Sequence, residues 1–202
     1  MSSQLIFNNE IVEDEWETIM LPKIDTAVKK QAGKVVIFKI TGDNSPTPEQ
    51  VDKTKFSDSG KIILPMKVFL KHKQQLKERI LKNEIGVWID THEEIESLVK
   101  ECKDINIFPI IGIRVGKFAD GRIFSIGSQL RTKYKYENIL RAFGDVLRDQ
   151  LFFLKRTGFD SFLIREDRDA NEALKALHDF SMPYQGAIDN DLPAWKRVNR
   201  TK

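Results

Sequence analysis

The chain has 202 residues, of which 41% are hydrophobic and 31% charged, enough for one domain with a sizeable core. Its 33 basic residues only slightly outnumber its 30 acidic residues, so the composition does not indicate a dedicated nucleic-acid-binding protein. No stretch approaches the roughly 18 apolar residues of a membrane span, and the first residues lack a signal-peptide pattern. We therefore expect a cytoplasmic protein that binds neither membranes nor nucleic acid.

The N-terminal part is predicted to hold a hairpin and one buried strand. LIF-NN-EIV alternates around an Asn-Asn pair, which is typical of a two-residue hairpin turn. An acidic stretch follows, and together they form an N-terminal unit over residues 1–33. GKVVIFKI is predicted as a buried strand, and residues 41–60 as a long polar loop, for which mobility is favoured over a functional role.

Residues 34–182 are predicted to form an α/β domain. Apolar runs that each lead into helical spacing are IILP, GVWI, INIFPIIGI, NILRAF and FDSFLI. This repeated strand-helix alternation predicts a parallel sheet, either open or closed partly or wholly into a β/α barrel. Residues 183–202 lack a helical period and are predicted as an extended tail laid along the domain.

Start signals mark the predicted helices. They are Pro65, a capping box of Thr91 and Glu94, Ser125, Asp145 and Asp169. Asp145 is expected to cap a helix that ends at Thr157, with Gly158 as its left-handed stop.

The loops after the strands supply the candidate site, because ligands of parallel sheets bind beyond the carboxyl ends of the strands. In KFADGRIFS, Arg122 projects from an Asp-Gly turn and Ser125 is predicted to begin a helix, which suits a small oxyanion. The alternative is that Asp120 simply holds Arg122 in an ion pair. The ligand-binding candidates are Arg122, Ser125, Arg131, Arg141 and Gly144. The catalytic candidates are Asp120, Arg122, Asp145 and Gln150.

The helix after Asp145 is predicted to have a polar and an apolar face, with two exceptions. The polar face holds Asp145, Arg148, Asp149, Lys155 and Arg156, and the apolar face holds Val146, Leu147, Leu151, Phe153 and Leu154. Gln150 falls on the apolar face, where its amide is expected to bond to a neighbouring loop. Phe152 falls on the charged face, where either the C-terminal tail or a long side chain covers it, or a second chain binds. The predicted partner interface is therefore Arg148, Asp149 and Phe152, and a homo-oligomer is one of the open outcomes.

The sequence carries no recognisable cofactor or metal motif. Its single cysteine, Cys102, cannot by itself supply an iron–sulfur or zinc–thiolate site. His72, His92 and His178 fall on three different predicted helices without the spacing of paired metal ligands. There is no glycine-rich dinucleotide motif and no phosphate loop.

Three segments, "KFADGRIFS…LR", "RAFGDVLRDQLFFLKRTGFDSF" and "LHDFSMPYQGAIDNDLP", resemble a bacterial family known as domain-of-unknown-function family 934. The resemblance covers roughly residues 60 to 197. The positions on the family pattern are Asp120, Gly121, Arg122, Ser125, Leu130, Arg131, Arg141, Gly144, Asp145, Asp149, Gln150, Arg156, Gly158, Phe159 and Asp160. Where the pattern has Phe-Pro and Glu-Leu, this chain has Val115-Gly116 and Ile139-Leu140.

Members of that family are described as probable oxidoreductases involved in sulfite reduction, through an association with sulfite reductase. The resemblance thus implies a role in sulfur metabolism and sulfite reductase as a partner. Reduction of sulfite needs redox centres that a chain with one cysteine cannot supply alone. We therefore expect an accessory protein of assimilatory sulfite reduction without its own redox centre. The alternative is an enzyme that binds a small oxyanion or phosphorylated ligand at the carboxyl edge of the sheet.

Overall fold

A computed structural model describes residues 4–22 and 45–197. The strands are β1 (Leu5–Phe7), β2 (Glu10–Val12), β3 (Glu17–Thr18), β4 (Ile62–Pro65), β5 (Ile85–Asp90), β6 (Ile110–Val115), β7 (Ile139–Gly144) and β8 (Ser161–Leu163). The helices are α1 (Pro48–Lys53), α2 (Met66–His72), α3 (Lys77–Leu81), α4 (Ile95–Cys102), α5 (Arg122–Thr132), α6 (Arg148–Arg156), α7 (Ala170–Ala176) and α8 (Ala194–Arg197). The strand predicted at GKVVIFKI lies outside the described residues, whereas the predicted polar loop contains α1.

All eight described strands form one sheet in the order β2-β1-β8-β7-β6-β5-β4-β3. Strands β3 to β8 are parallel neighbours in chain order, and the hairpin of β1 and β2 joins antiparallel to β8. The five apolar runs are β4 to β8, so the predicted strand-helix repeat is confirmed. Asn8 and Asn9 have φ values of 50° and 65°, which is the two-residue hairpin turn that the sequence predicts.

The length of one connection requires the sheet to curl. Strands β2 and β3 lie at opposite edges, yet only residues 13–16 separate them. Five residue steps span at most about 18 Å. Seven strand spacings in a flat sheet would span about 34 Å. The described sheet is therefore a half-barrel, with residues 13–16, here called the crossing segment, bridging between its two edges.

The two faces of the half-barrel have different cores. On the face covered by helices, alternate strand residues such as Val87, Ile113 and Ala142 join one large apolar cluster. On the opposite face, here called the inner face, the buried cluster is small and consists of Ile63, Trp88, Ile110 and Phe143. This division follows from the alternation of side chains along each strand. It also leaves polar residues of the inner face pointing away from the main core.

The helix boundaries correct several predicted start signals. Asp169 accepts a hydrogen bond from the Asn171 amide as the N-cap of α7, so that prediction is confirmed. The capping box is wrong, because α4 begins at Ile95 and the Thr91 hydroxyl donates to Asp120 instead. Ser125 lies inside α5, which begins at Arg122.

The end of α6 agrees with its prediction. Thr157 is the C-cap, and Gly158 follows with a φ of 99°, a conformation that strains any residue with a side chain. A Cβ atom at Gly158 would also lie 2.5 Å from Cγ of Arg131. Glycine here therefore both stops the helix and admits the Arg131 side chain.

Part of the predicted tail lies on α6, and the tail is not extended throughout, because it contains the short helix α8. The Ile188 amide donates to the Arg156 carbonyl over 3.1 Å. The Arg156 guanidinium in turn donates to the Gln185 carbonyl over 2.6 Å and lies 3.4 Å from Asp189. Arg156 was expected on the exposed polar face of α6, but the tail buries it.

Candidate functional site

The Asp-Gly-Arg turn after β6 forms an internal ion pair. Arg122 Nε lies 2.9 Å from Asp120 Oδ1, and a terminal guanidinium nitrogen lies 2.8 Å from Oδ2. Asp120 is buried and also accepts a hydrogen bond from Thr91. Burial alone would raise the pKa of Asp120, but the hydrogen bonds from Arg122 and Thr91 outweigh burial and lower the pKa. Asp120 is therefore an ionised partner of Arg122, and a poor general acid at neutral pH.

A second charged cluster follows β5, at the same carboxyl edge of the sheet as the Asp-Gly-Arg turn. Arg114 donates to Asp90 Oδ2 over 2.7 Å, and His92 Nδ1 lies 3.2 Å from Asp90 Oδ1 without the alignment of a hydrogen bond. Glu93 accepts from the Asp90 amide over 3.0 Å, and Lys67 Nζ lies 3.9 Å from its other oxygen. Burial raises the pKa of the Glu93 carboxyl.

His92 and Glu93 were not among the predicted site residues. His92 was assigned to a helix, but it lies in the loop between β5 and α4. The signal that could have found both residues is their position directly after an apolar strand, at the edge where loops converge.

Asp145 does not cap α6. Its Oδ2 accepts from the Phe118 amide over 2.8 Å, and its Oδ1 from Arg165 over 2.6 Å. The loops after β6, β7 and β8 meet at this point, so the carboxylate links neighbouring loops and α6 begins only at Arg148. Arg165 also pairs with Asp167. Asp145 is thus a positioning group in an ion-pair network.

Gln150 is a buried link between α6 and the loop after β6. Its Nε2 donates to the Phe118 carbonyl over 3.0 Å, and its Oε1 accepts from the Leu147 amide over 3.3 Å. The predicted hydrogen bond to a neighbouring loop is therefore present.

We expect Gln150→Ala to lower the free energy of unfolding by about 1–3 kcal/mol, because it leaves buried backbone groups without partners. Urea denaturation measures this change. Gln129→Ala, at an exposed position of α5, is the control and should change stability by less than about 0.5 kcal/mol. An equal effect of the two substitutions would contradict the structural role.

The predicted ligand-binding arginines do not come together. Arg122 lies at the carboxyl edge, whereas Arg131 bonds to residues that precede β7 and β8 at the amino edge. Arg141 lies on the inner face, where it pairs with Asp14. Helix α5 separates Arg122 from Arg131 by nine residues, a rise of about 14 Å. The prediction that all three arginines build a single oxyanion site is therefore wrong.

The two other predicted ligand-binding residues have backbone or surface roles. Gly144 ends β7 with a φ of 96°, and a Cβ there would lie 2.4 Å from the Val115 carbonyl oxygen. Ser125 is exposed on α5. Neither residue presents a helix N-terminus to a ligand.

Of the three residues predicted to form a partner interface, Phe152 is buried. Phe152 is only 8% exposed, because Phe180 of the C-terminal segment packs on it with ring centroids 4.9 Å apart. Phe180 lies just before the predicted tail, and the central guanidinium carbon of Arg156 also lies 5.7 Å from the centre of the Phe152 ring, so other side chains of this chain cover Phe152. Phe153, predicted on the apolar face, is 52% exposed instead. Arg148 and Asp149 are exposed as expected and line a cavity of about 460 Å³ between α6 and α7.

The C-terminal segment exposes an unusual number of large apolar side chains. Together with Phe153 they form what we call the tail surface: Phe153, Phe180, Met182, Tyr184, Leu192 and Trp195. Tyr184 and Trp195 pack on each other with ring centroids 5.1 Å apart. The Ala194 amide donates to the Tyr184 carbonyl over 2.8 Å and so fixes this pair. Exposed clusters of this kind commonly mark protein-binding sites.

Among residues 4–22 and 45–197, no group of three or more His, Cys, Asp and Glu side chains is placed to hold a metal ion. No helix in those ranges combines the length and hydrophobicity needed to cross a membrane. The Cys102 thiol packs at the edge of the large core, and burial raises its pKa.

The fold and the charged carboxyl edge define a β/α half-barrel protein. A family model described as "Bacterial protein of unknown function (DUF934)" matches residues 86–195, more than half of the chain. The chain belongs to this family, as the Asp-Gly-Arg and RAFGD segments predicted. Neither the curated proteins nor the solved structures include a match to this chain.

Proposed function

We propose that this chain is a cytoplasmic accessory protein of assimilatory sulfite reduction that docks on sulfite reductase through the tail surface. The link to sulfite reduction rests on the resemblance given above, whose members are described as probable oxidoreductases involved in sulfite reduction; the matching family model itself is described as of unknown function. The observation that supports a docking role is the fixed, exposed aromatic pair of Tyr184 and Trp195. Exposed Trp and Tyr side chains supply much of the binding energy in protein interfaces.

The order of the C-terminal segment strengthens this proposal. Arg156 and Ile188 tie the segment to α6, so the aromatic side chains are held in place before a partner arrives. Preorganisation of this kind reduces the entropy cost of association. A surface that is both apolar and already ordered is suited to binding a folded partner.

The carboxyl edge supports the alternative enzymatic role less well. Arg114, Arg122 and Arg165 each have a carboxylate partner within this chain at 2.6 to 2.8 Å. An oxyanion would have to compete with these internal carboxylates for the guanidinium groups. The ion pairs therefore favour a structural role for the edge.

We expect Trp195→Ala to weaken binding to purified sulfite reductase by about thirtyfold or more, the effect of losing an interface hot spot. The measurement is titration calorimetry with the full chain and the intact reductase. Phe153→Asp should also weaken binding, since it places a charge within the tail surface. Phe152→Asp is not a suitable test, because Phe152 is buried and the substitution would destabilise the fold.

Leu81→Asp is the matched control, because Leu81 is an exposed apolar residue on α3, outside the tail surface. It should bind as tightly as the unmodified chain. If the unmodified chain does not bind the reductase, or if Trp195→Ala and Phe153→Asp bind it unchanged, the proposal is wrong.

A further inference from the structure

A cavity of about 430 Å³ lies beside the tail surface, between α6 and the C-terminal segment. Its apolar lining includes Phe152 and Leu177, which are buried, and Phe180, which is 58% exposed and belongs to the tail surface. Pro183 also lines the cavity and follows Met182 of the tail surface directly. The cavity is therefore continuous with the exposed apolar side chains of that surface.

Two cations line the cavity, and neither forms an ion pair with a carboxylate of residues 4–22 or 45–197. The Lys155 ammonium donates instead to the amide oxygen of Asn9 over 2.9 Å. The Arg197 guanidinium donates to the Pro183 carbonyl, and its Nε is buried without a hydrogen-bond partner in the described part of the chain. Both positive charges are thus held only by neutral groups, so an anion could bind them without displacing an internal carboxylate.

The described lining contains one carboxylate, that of Asp189, and this carboxylate already has a cation. Arg156, which does not line the cavity, places a guanidinium nitrogen 3.4 Å from Asp189 Oδ1. Asp179 and Asp191 are next in sequence to lining residues but do not line the cavity themselves. The charge that remains is positive, beside apolar walls. Such a cavity is complementary to an acidic side chain with an apolar neighbour.

We propose that this cavity receives an acidic side chain of the protein that docks on the tail surface. Lys155 and Arg197 bind its carboxylate, and Phe180 packs against an apolar neighbour of that acidic residue. Apolar contacts are not directional, whereas a charge pair fixes the register of one partner on the other. The acidic side chain therefore positions the partner on the tail surface. This inference rests on the docking role proposed above and adds the chemistry of the docking segment.

The test is titration calorimetry of the full chain with purified sulfite reductase. We expect Lys155→Glu to weaken binding by about tenfold or more, because it places a like charge opposite the acidic side chain. Lys155→Arg keeps the charge and should bind within about threefold of the unmodified chain. Lys155→Gln should weaken binding by about threefold at about 0.05 M NaCl and by less at about 0.5 M, because salt screens charges that solvent reaches.

Lys77→Glu is the matched control, because Lys77 is exposed on α3, outside the cavity, and the substitution changes the net charge equally. It should bind within about threefold of the unmodified chain. If the unmodified chain binds the reductase but Lys155→Glu and Lys77→Glu bind it equally, the cavity inference is wrong and the docking proposal stands. If the unmodified chain does not bind, the docking proposal fails and this inference fails with it. Thermal melting shows whether each variant is folded; if Lys155→Glu is not, Lys155→Gln decides, and unchanged binding by that variant overturns the inference.

Discussion

Arg131→Met is expected to lower the free energy of unfolding by about 3 kcal/mol at neutral pH. The Arg131 guanidinium donates to three carbonyl groups, those of Tyr136, Asn138 and Gly158, over 2.7 to 2.9 Å. It also lies 2.9 Å from Asp160 Oδ2. Its removal leaves carbonyl acceptors without a donor and a largely buried carboxylate without its cation. Solvent reaches part of Asp160, so the loss stays below the upper range for a fully buried pair.

The loss of unfolding free energy caused by Arg131→Met should depend on pH. Burial raises the pKa of Asp160 even in the intact protein, and loss of Arg131 removes two interactions that lower it. An acid whose pKa is raised by folding favours the folded state below that pKa and opposes it above. The destabilisation by Arg131→Met should therefore be smaller near pH 4 than at pH 7.

Urea denaturation at the two pH values measures both effects. Arg148→Met is the control, because Arg148 is half exposed and its nearest carboxylate is 3.9 Å away. Its effect should stay within about 0.5 kcal/mol. A folded Arg131→Met with unchanged stability would contradict the structural role and restore Arg131 as a ligand-binding candidate.

Trp88→Ala is expected to lower the free energy of unfolding by about 3–5 kcal/mol, because it opens a large cavity in the small core of the inner face. Trp88 is 1% exposed and packs edge to face on Phe143, with ring centroids 5.8 Å apart. Its Nε1 donates to the Ile19 carbonyl over 2.8 Å, so it also anchors the chain that continues from the crossing segment. Loss of Trp88 should therefore loosen the N-terminal segment together with the core.

Thermal or chemical denaturation of Trp88→Ala measures the first effect, and limited proteolysis within residues 13–22 measures the second. Trp195→Ala is the matched tryptophan control, since Trp195 is 53% exposed and should contribute less than about 1 kcal/mol to stability. Comparable losses in the two variants would show that the inner face is not an independent source of stability.

These two substitutions separate structural from binding roles among the aromatic and basic residues. Trp88 and Arg131 are expected to act on stability. Trp195 is expected to act on partner binding. A stability measurement beside each binding measurement therefore distinguishes loss of a contact from loss of the fold.

Local patterns in the sequence predicted most of the fold. The five apolar runs are the parallel strands β4 to β8, and the Asn-Asn turn forms the hairpin. Asp169 caps α7, and Gly158 stops α6. Each of these features depends on backbone geometry or periodicity within a few residues, which is why the sequence alone was sufficient.

The candidate site was predicted less well, because it depends on which loops and faces meet. Asp145 was a plausible cap by local rules, but Phe118 and Arg165 from neighbouring loops take its carboxylate. Phe152 looked exposed on a helical plot, but Phe180 covers it from a segment 28 residues later. No pattern among neighbouring residues of the sequence indicates either contact.

The sequence by itself determined the strand-helix repeat, the hairpin, and the residues available for a site. Tertiary structure alone decided the curl of the sheet and the distribution of Arg122, Arg131 and Arg141 over three separate places. The physical reason is that a strand or helix sets only the direction in which a side chain points. Which residue the side chain contacts depends on how segments far apart in the chain are brought together. Asp14 meets Arg141 across 127 positions only because the half-barrel brings its two edges together.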